Sequence, residues 1–342
     1  MKKINTLFFL LMITSAPILA QPGGFAGAAQ RIGYGPEALG MGNAMTAVTS
    51  QGSFAHYNPA HSAIFLDYTP INLSVSSLSY DRIHQTLGAV FQLPPTAGIT
   101  INLLRSGIND VDGRSASGYP NGNFDVSEYQ LFTAFGIRIS DKLNAGFGFK
   151  VNYANYHEDL EAETSVGIDI GLLYKISSNI NFGFTIQDLF AEYRWNSAEL
   201  YNQNQSRNVI NKFPTRFKWG LAYQKKSYTV SAEYEVQALS SEVNEDETFI
   251  AGGRPTLISS ITELKTNAQQ LRLGGAWNAH ERITLRGGYS LPDLSNTDSW
   301  GASSGFSLYL PFDKFSPAIG YAFVMEPNRV SNMHVFSISF KL

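Results

Sequence analysis

The sequence predicts an all-β protein: a fourteen-stranded antiparallel transmembrane β-barrel with an N-terminal plug, or hatch, inside its lumen. Three observations predict this fold. From residue 66 onward, apolar and polar residues alternate, as in strands with one apolar face. The alternating segments run to ten or more residues, the length that a tilted strand needs to cross a bilayer. The connections between them alternate between short and long, as in outer-membrane barrels.

The first twenty residues have the pattern of a secretory signal peptide. Lys2 and Lys3 precede an apolar stretch at 7–13 that is too short to span a bilayer, and Ala20 marks the predicted cleavage point. We therefore predict a signal peptide over 1–20, a plug over 21–65 and a barrel over 66–342. An exported chain with an even number of strands is expected to keep both termini in the periplasm of a Gram-negative bacterium.

The bulk composition excludes several classes of protein. Only 15% of the residues are charged, against roughly 25% in soluble domains, and 13% are aromatic. The formal net charge of -3 gives no reason to expect a nucleic-acid partner. The absence of cysteine excludes disulfides and thiolate metal sites, and no apolar run beyond the signal is long enough for a transmembrane helix.

The barrel segments are separated by turn residues, and most have a clean apolar face. In the last segment, for example, Phe336 and Ile338 alternate with Ser337 and Ser339. The fourteen predicted strands are 66–80, 84–94, 97–107, 126–140, 143–158, 162–177, 180–196, 214–226, 228–241, 267–280, 283–292, 301–311, 314–326 and 331–342.

Long connections are predicted at 108–125, 197–213 and 242–266, and each follows an odd-numbered strand. That arrangement places them on one side of the membrane as outer loops. Acidic residues at 158–163 and 245–247 fall in predicted outer loops. They are interpreted either as solvated loop faces or as sites for calcium or lipopolysaccharide-bridging cations.

The seventh segment changes its parity. Its apolar residues occupy even positions from 180 to 186 and odd positions from 189 to 195. A slip of one residue at Gln187 and Asp188 restores the alternation, so we predict a β-bulge in the barrel wall there. The alternative is that the strand leaves the membrane at Asp188. A break in strand pairing would offer a hydrophobic passenger a lateral path from lumen to lipid.

The inward positions carry charges of both signs, a mixture that favours a filled barrel over an open, single-sign porin. They are Glu128, Arg138, Lys150, Asp169, Lys175, Arg216, Lys218, Glu233, Glu235, Arg272 and Arg286.

Two short motifs precede the barrel. Residues 38–48 read Ala-Leu-Gly-Met-Gly-Asn-Ala-Met-Thr-Ala-Val, and residues 57–60 read Tyr-Asn-Pro-Ala. This pattern resembles the hatch of the FadL-type superfamily of hydrophobic-compound transporters, and most closely its PorV/PorQ branch. The resemblance implies a fourteen-stranded outer-membrane barrel with a plug. The plug-motif residues that it assigns are Gly40, Met41, Gly42, Asn58, Pro59 and Ala60.

The resemblance leaves two functions open: transport of hydrophobic small molecules, which we expect, or an accessory role in type IX protein secretion or surface attachment without transport. Expected partners are outer-membrane lipid and either hydrophobic small molecules or secretion-machinery proteins. Candidate contacts for an apolar ligand, unless they only anchor the plug, are Leu39, Met41, Met45, Phe54 and Phe132.

No pattern in the chain favours catalysis. Gly40-Met41-Gly42 lacks the third glycine of a dinucleotide loop, and no phosphate loop or nucleophile elbow is present. His56 and His61 are five residues apart, and the sequence fixes no acidic partner for a metal site. We therefore expect no enzyme activity, no cofactor and no metal. The alternative, a barrel hydrolase, would need an Asp/His or Ser/His pair within hydrogen-bond reach at the outer rim.

Overall fold

The computed structural model describes residues 25–51, 54–115, 117–158, 160–196, 209–251, 254–310, 317–326 and 331–342. At residues 209, 240–251 and 254–266 it describes the backbone alone. The predicted signal peptide, most of the 197–213 connection and the side chains of the acidic run at 245–247 lie outside the described residues. Within these ranges, no helix has both the length and the apolar character needed to span a membrane.

Strands dominate the described chain, because its alternating pattern suits extended backbone with one buried face. One short helix, α1, spans Gly35–Leu39, and 3₁₀ turns lie at Ala29–Arg31, Pro59–Ala63 and Thr297–Ser299. The strands are β1 Pro70–Leu78, β2 Arg82–Leu93, β3 Ala97–Arg114, β4 Pro120–Ser140, β5 Leu143–Asn155, β6 Glu163–Lys175, β7 Ile180–Leu189, β8 Glu192–Trp195, β9 Val209–Lys212, β10 Thr215–Gln224, β11 Tyr228–Ala251, β12 Arg254–His280, β13 Ile283–Leu291, β14 Gly301–Tyr309, β15 Ala318–Met325 and β16 Asn332–Lys341.

Fourteen of these strands form one closed antiparallel barrel, which confirms the predicted fold class. Each barrel strand pairs with the next barrel strand along the chain, and β1 pairs with β16 to close the cylinder. The closing register runs from Pro70 opposite Lys341 to Leu78 opposite Met333. Strands β8 and β9 form a separate two-stranded sheet between β7 and β10.

The apolar faces of the strands point outward. On β16, Phe336 is 56% exposed and Ile338 is 46% exposed, whereas Val335 and Ser337 face the lumen and are buried. The same parity holds on β5, where Phe147 and Phe149 are exposed. Since exposing so many large apolar side chains to water is unfavourable, this surface fits the hydrocarbon of an outer membrane.

The seventh predicted strand, 180–196, is wrong in its second half. Strand β7 ends at Leu189, and Phe190 adopts a positive φ of 65° that turns the chain away from the wall. Tyr193 and Trp195, which parity placed on the lipid face, are buried instead against Phe213 and Ala26. The β8–β9 hairpin therefore covers the start of the N-terminal segment.

Two predicted loops, 108–125 and 242–266, are also wrong, because they continue as paired strands. The β11–β12 ladder runs from Tyr228 opposite Trp277 to Ala251 opposite Arg254. At about 3.3 Å per residue, this hairpin is far longer than an apolar band of about 25 Å requires. Outside the bilayer both faces of a strand meet water, so the apolar alternation that marks a strand disappears. We call this end of the barrel the loop end and the opposite end the turn end.

Residues 25–65, here called the plug, cross the lumen. The 3₁₀ turn Pro59–Ala63 packs against β3, β4, β5 and β6, whereas α1 packs against β14, β15, β16 and β1 on the other side. The wall makes room with glycine: a Cβ on Gly146 would overlap the backbone of Pro59 and Ala60. Contacts with strands all round the barrel hold the plug inside it.

Candidate functional site

The second plug motif, at residues 57–60, is built around one asparagine. The side-chain amide of Asn58 donates to the backbone oxygens of Thr46 and Leu172, at 3.0 Å each. Its side-chain oxygen accepts from the Ala60 amide at 3.1 Å and so caps the 3₁₀ turn, whose first residue is Pro59. Asn58 thus ties two parts of the plug to each other and to strand β6.

The first plug motif is a tight turn pressed against strand β13. Gly42 has a φ of 62°, and a Cβ there would lie 3.1 Å from the backbone nitrogen and oxygen of Tyr289. A larger residue at Gly42 would meet both a strained backbone and the wall. Met41, between the two motif glycines, is fully buried in a cluster with Met45 and Val48.

A buried ion-pair network joins strands β5, β6, β7 and β10. The Lys150 ammonium lies 2.8 Å from Asp169 and 2.6 Å from Asp188. Asp188 also accepts from Arg216, at 2.8 Å from Nε and 2.7 Å from Nη2. All four side chains are almost fully buried, so each charge depends on its partners rather than on water.

A second network on β10, β11 and β12 lies beside the first and holds the plug. Arg272 contacts Glu233 at 2.9 Å and Glu235 at 2.6 Å, while Lys218 lies 3.9 Å and 3.6 Å from the same carboxylates. Glu233 also accepts from the Thr46 amide at 3.0 Å and from the Thr46 hydroxyl at 2.7 Å. The wall therefore grips the plug through a buried carboxylate.

The two networks contain four cationic and four anionic side chains, so their charges cancel. Of the other inward charges in the sequence, Glu128 accepts from the Tyr156 hydroxyl at 2.7 Å, and Arg286 donates to Ser307 at 2.7 Å. A charge-balanced, buried lining offers no continuous path of one sign for an ion.

The pairing between β6 and β7 changes register at Gln187 and Asp188, where two residues of β7 face only Asp169 of β6. Asp188 has a positive φ of 61°, and both side chains point into the lumen and are buried. Gln187 donates to the backbone oxygen of His56 in the plug at 2.7 Å, while Asp188 belongs to the first ion-pair network. At this register shift the wall is fastened to the plug.

The plug histidines are deeply buried. The ring of His61 bonds the Thr46 carbonyl oxygen at 3.2 Å, and burial lowers the pKa of His61 to about 4. Burial, with the charges of Lys150 and Arg216, also holds the pKa of His56 well below its ordinary value. Among the described residues, no three potential metal ligands come together.

Around the middle of the barrel, the opposite wall, on strands β16, β1 and β2, presents uncharged side chains to the lumen. Ser74 and Thr86 share a hydrogen bond of 2.5 Å, and Ser76 and Ser337 are buried beside them. Two side chains of this wall bond the plug backbone: a ring nitrogen of His84 lies 2.9 Å from the Gly33 oxygen, and the Gln92 amide donates to the Ile64 oxygen at 3.0 Å. We call this surface the hydroxyl wall, and the side that carries the two networks the ionic wall.

A cavity of about 550 Å³ lies at the loop end between the plug and a stretch of wall that runs from β12 through β16 to β1 and β2, and so includes the loop end of the hydroxyl wall. Its apolar lining comes from plug residues Ile32 and Leu39 and from wall residues Leu78, Val324 and Met333. Polar groups complete its lining: Arg31, Asn43, Arg82, Gln270, Arg272, Ser290, Ser303 and Glu326. The Arg82 guanidinium is paired with Glu326 at 2.9 Å.

The five residues predicted to contact an apolar ligand do not lie together in the structure. Leu39 lines this cavity, and Phe54 lines a smaller one of about 50 Å³ with Tyr34 and His56. Met41 and Met45 pack together, and Phe132 packs with Ala55 and Ala134, with no exposed surface.

Sequence reasoning missed the wall side of the cavity. Met333 and Val335 share the inward parity of Ser337, so they are apolar residues on an otherwise polar face. Leu78 ends β1 on the inward parity of Ser74 and Ser76. Apolar residues on the polar parity, confined to one end of neighbouring strands, are the signal that marks this pocket.

No protein-family model matches the chain, and no curated protein matches its sequence. Solved structures do match it. The CymD monoaromatic hydrocarbon channel has a TM-score of 0.61 and 14% identity over 91% of this chain and 97% of the channel. The chain shares the fold of this solved structure.

Two further structures agree with that fold. The Pseudomonas putida toluene transporter TodX has a TM-score of 0.59 and 15% identity, covering 90% of this chain and 98% of TodX. A Pseudomonas aeruginosa FadL homologue has a TM-score of 0.59 and 13% identity, covering 90% of this chain and 97% of the homologue. At these identities the likeness establishes the architecture alone, and the PorV/PorQ naming finds no support in it.

Proposed function

We propose that this protein carries hydrophobic small molecules across the outer membrane. The observation that carries the proposal is the loop-end cavity, whose apolar lining sits inside the barrel and directly above the plug. An apolar pocket within an otherwise polar lumen suits a passenger that partitions out of water. Hydrocarbon channels of the same architecture support this assignment.

The passenger's route follows the hydroxyl wall. On the ionic wall the plug is held by Glu233 and Gln187 through short hydrogen bonds to its backbone. On the hydroxyl wall, Leu39 of α1 packs in an apolar cluster, and His84 bonds the Gly33 oxygen just before the helix. A small displacement of residues 32–39 away from the wall would extend the cavity toward the turn end. In this proposal the turn end faces the periplasm.

The test is uptake of a labelled hydrocarbon or long-chain fatty acid by cells with and without the gene. Leu78→Trp fills the cavity and should lower uptake several-fold. Its matched control is Leu87→Trp on the neighbouring strand, which adds the same bulk to the lipid face, where Leu87 is 40% exposed. Equal uptake with and without the gene for both classes of passenger would end the proposal.

A second candidate is an accessory role in type IX secretion or surface attachment without transport. One observation favours it: the β11–β12 hairpin is paired over its whole length and extends well past the bilayer, where a protein partner has access to it. Affinity capture from detergent-solubilised membranes should then recover secretion subunits or exported cargo. Replacing residues 243–262 with a short turn should abolish that recovery, and recovery of the barrel alone would contradict this role.

A further inference from the structure

A second cavity, of about 300 Å³, opens at the turn end between the last residues of the plug and the wall. It lies on the far side of the plug from the loop-end cavity. Its wall is formed by the ends of strands β4, β5, β6, β7 and β10 and by the turns that join them. The plug contributes Ile64 and Phe65 to its lining.

Three cations line this cavity: Arg138, Lys142 and Lys175. Arg138 and Lys175 occupy inward positions at the ends of β4 and β6, and Lys142 lies in the turn after β4. Among the described residues, none of the three side chains makes an ion pair or a hydrogen bond. One acidic residue, Asp141, shares the lining, so the cavity keeps an excess of positive charge.

This lack of pairing sets the cavity apart from the rest of the lumen. Deeper in the barrel, Lys150, Arg216 and Lys218 each lie within 4 Å of a carboxylate, and the charges there cancel. At the turn end the cations are left available, and the field of three neighbouring positive charges favours an anionic group. Such a group would bind through charge-assisted hydrogen bonds.

The rest of the lining combines an apolar group, Ala63, Ile64, Phe65 and Leu173, with uncharged polar side chains of Thr49, Asn144, Ser178, Asn179, Asn181 and Gln224. Phe65 is 65% exposed beside Ile64, and Leu173 faces the lumen on β6, two residues before Lys175. A small inorganic anion would leave these side chains uncovered, whereas a neutral hydrocarbon would leave the cations unpaired. A molecule with an anionic head and an apolar chain would pair with the three cations and also cover the apolar side chains.

We infer that the turn-end cavity binds an anionic amphiphile: a carboxylate or phosphate head on an apolar chain. The head would lie among Arg138, Lys142 and Lys175, and the chain would lie along Ile64, Phe65 and Leu173. This binding does not depend on the proposed transport function, because the cavity is open at the turn end with the plug in place. Two sources share the chemistry: a single-chain molecule that reaches the lumen mouth and an anionic membrane phospholipid.

The test measures binding to the full-length mature protein in nanodiscs of zwitterionic phosphatidylcholine. The probes are dodecyl phosphate, dodecanoate, dodecanol and inorganic phosphate. We expect the two anionic amphiphiles to bind roughly tenfold more tightly than dodecanol, because each exposed charge pair adds only modestly to affinity. Inorganic phosphate alone should bind more weakly than dodecyl phosphate.

A matched pair of triple variants places the site. Arg138→Gln/Lys142→Gln/Lys175→Gln should abolish the preference for the charged head. Lys225→Gln/Lys226→Gln/Lys341→Gln removes the same number of positive charges at the turn end, outside the cavity, and should keep the preference. Both variants alter turn-end side chains that lie outside the packed core, so thermal unfolding should stay close to that of the parent protein.

Two further comparisons show where the bound amphiphile comes from and whether the inference holds. If nanodiscs containing phosphatidylglycerol suppress dodecyl phosphate binding, the occupant comes from the membrane; if they do not, it is a single-chain molecule. Equal loss of preference in both triple variants would overturn the inference, as would equal binding of dodecanol and dodecanoate. Uptake assays in cells report the transport proposal separately, because binding in nanodiscs needs no passage through the barrel.

Discussion

The ionic wall and the hydroxyl wall face each other across the same plug, yet they hold it in different ways. The ionic wall uses buried carboxylates and an amide to grip the plug backbone at Thr46 and His56. The hydroxyl wall offers uncharged side chains, an apolar cluster around Leu39, and hydrogen bonds to the backbone oxygens of Gly33 from His84 and of Ile64 from Gln92. The ionic wall is suited to hold the plug in place, and the hydroxyl wall is suited to let the plug move.

The energies of the two kinds of contact support this division. A hydrogen bond to a charged group, such as each bond from Thr46 to the Glu233 carboxylate, contributes about 1.5–3 kcal/mol. A neutral hydrogen bond contributes about 0.5–1.5 kcal/mol. The plug is therefore expected to move at α1, along the hydroxyl wall, before it moves at residues 44–63.

The largest expected effect is on uptake, when a disulfide joins the plug to one side of the barrel wall or to the other. The chain has no cysteine, so an engineered pair is the only one present. Leu39→Cys/Ala322→Cys joins the plug to β15, the strand next to the hydroxyl wall, within one packed cluster, and its oxidation should abolish uptake of a hydrophobic passenger. Reduction of the disulfide should restore uptake.

The matched lock is Ala55→Cys/Ala134→Cys, which joins the plug to β4, away from the hydroxyl wall, again within one packed cluster. Its oxidation should leave uptake near the level of the parent protein. Mass spectrometry of the oxidised proteins checks that both disulfides form. Loss of uptake with the second lock and not the first would reverse the assignment of the moving side.

The next effect tests the stability of the ionic wall. Asp188→Ala leaves Arg216 without its carboxylate partner and Lys150 with Asp169 alone. We expect a loss of about 3–5 kcal/mol in the free energy of unfolding, measured by urea titration in lipid vesicles. Ser74→Ala on the hydroxyl wall, which breaks the bond to Thr86, should cost about 1 kcal/mol. Similar losses in the two variants would remove the energetic difference between the walls.

A pH titration sharpens the comparison at the plug. His61 has a pKa of about 4 in the fold and an ordinary value of 6.5 when unfolded. Between pH 6.5 and 4 the unfolded chain binds a proton that the folded chain does not, so stability falls as the pH falls. His61 alone contributes a slope of at most about 1.4 kcal/mol per pH unit, with no contribution above pH 6.5, and the lowered pKa values of His56 and His84 add to the total fall.

Replacing this histidine isolates its share of the pH dependence. His61→Gln keeps a donor for the Thr46 oxygen and should flatten the fall in melting temperature between pH 6.5 and 4. His280→Gln, at the exposed end of β12, should leave the profile of the parent protein unchanged. An identical pH profile in all three proteins would show that His61 does not resist protonation.

The smallest effect is expected on the hydroxyl wall. The Ser337 hydroxyl is buried and has no hydrogen-bond partner among the described residues. Ser337→Ala should therefore change the free energy of unfolding by no more than about 0.5 kcal/mol, or stabilise the protein slightly. A loss well above 1 kcal/mol in the same urea titration would reveal a partner for this hydroxyl.

The barrel was predictable because its signal is local. Each strand carries its own two-residue period, and residues such as Phe147 and Phe149 must share a face whatever the rest of the chain does. The hairpin extensions escaped prediction for the converse reason: both faces of a strand beyond the bilayer meet water, so residues 242–251 show no alternation. Tyr193 and Trp195 misled the parity argument because a buried hairpin core and a lipid face select the same apolar residues.

The sequence by itself determined the strand count, the inward parity of the charges and the parity break at Gln187 and Asp188, because these follow from periodicity along a single strand. Only the tertiary structure decided which charges pair. Lys150 and Asp188 meet because strand register and the local shift in β7 bring their side chains to one depth in the lumen. The loop-end and turn-end cavities are likewise properties of the closed barrel, since each is the space left where plug and wall do not touch, and no single segment encodes it.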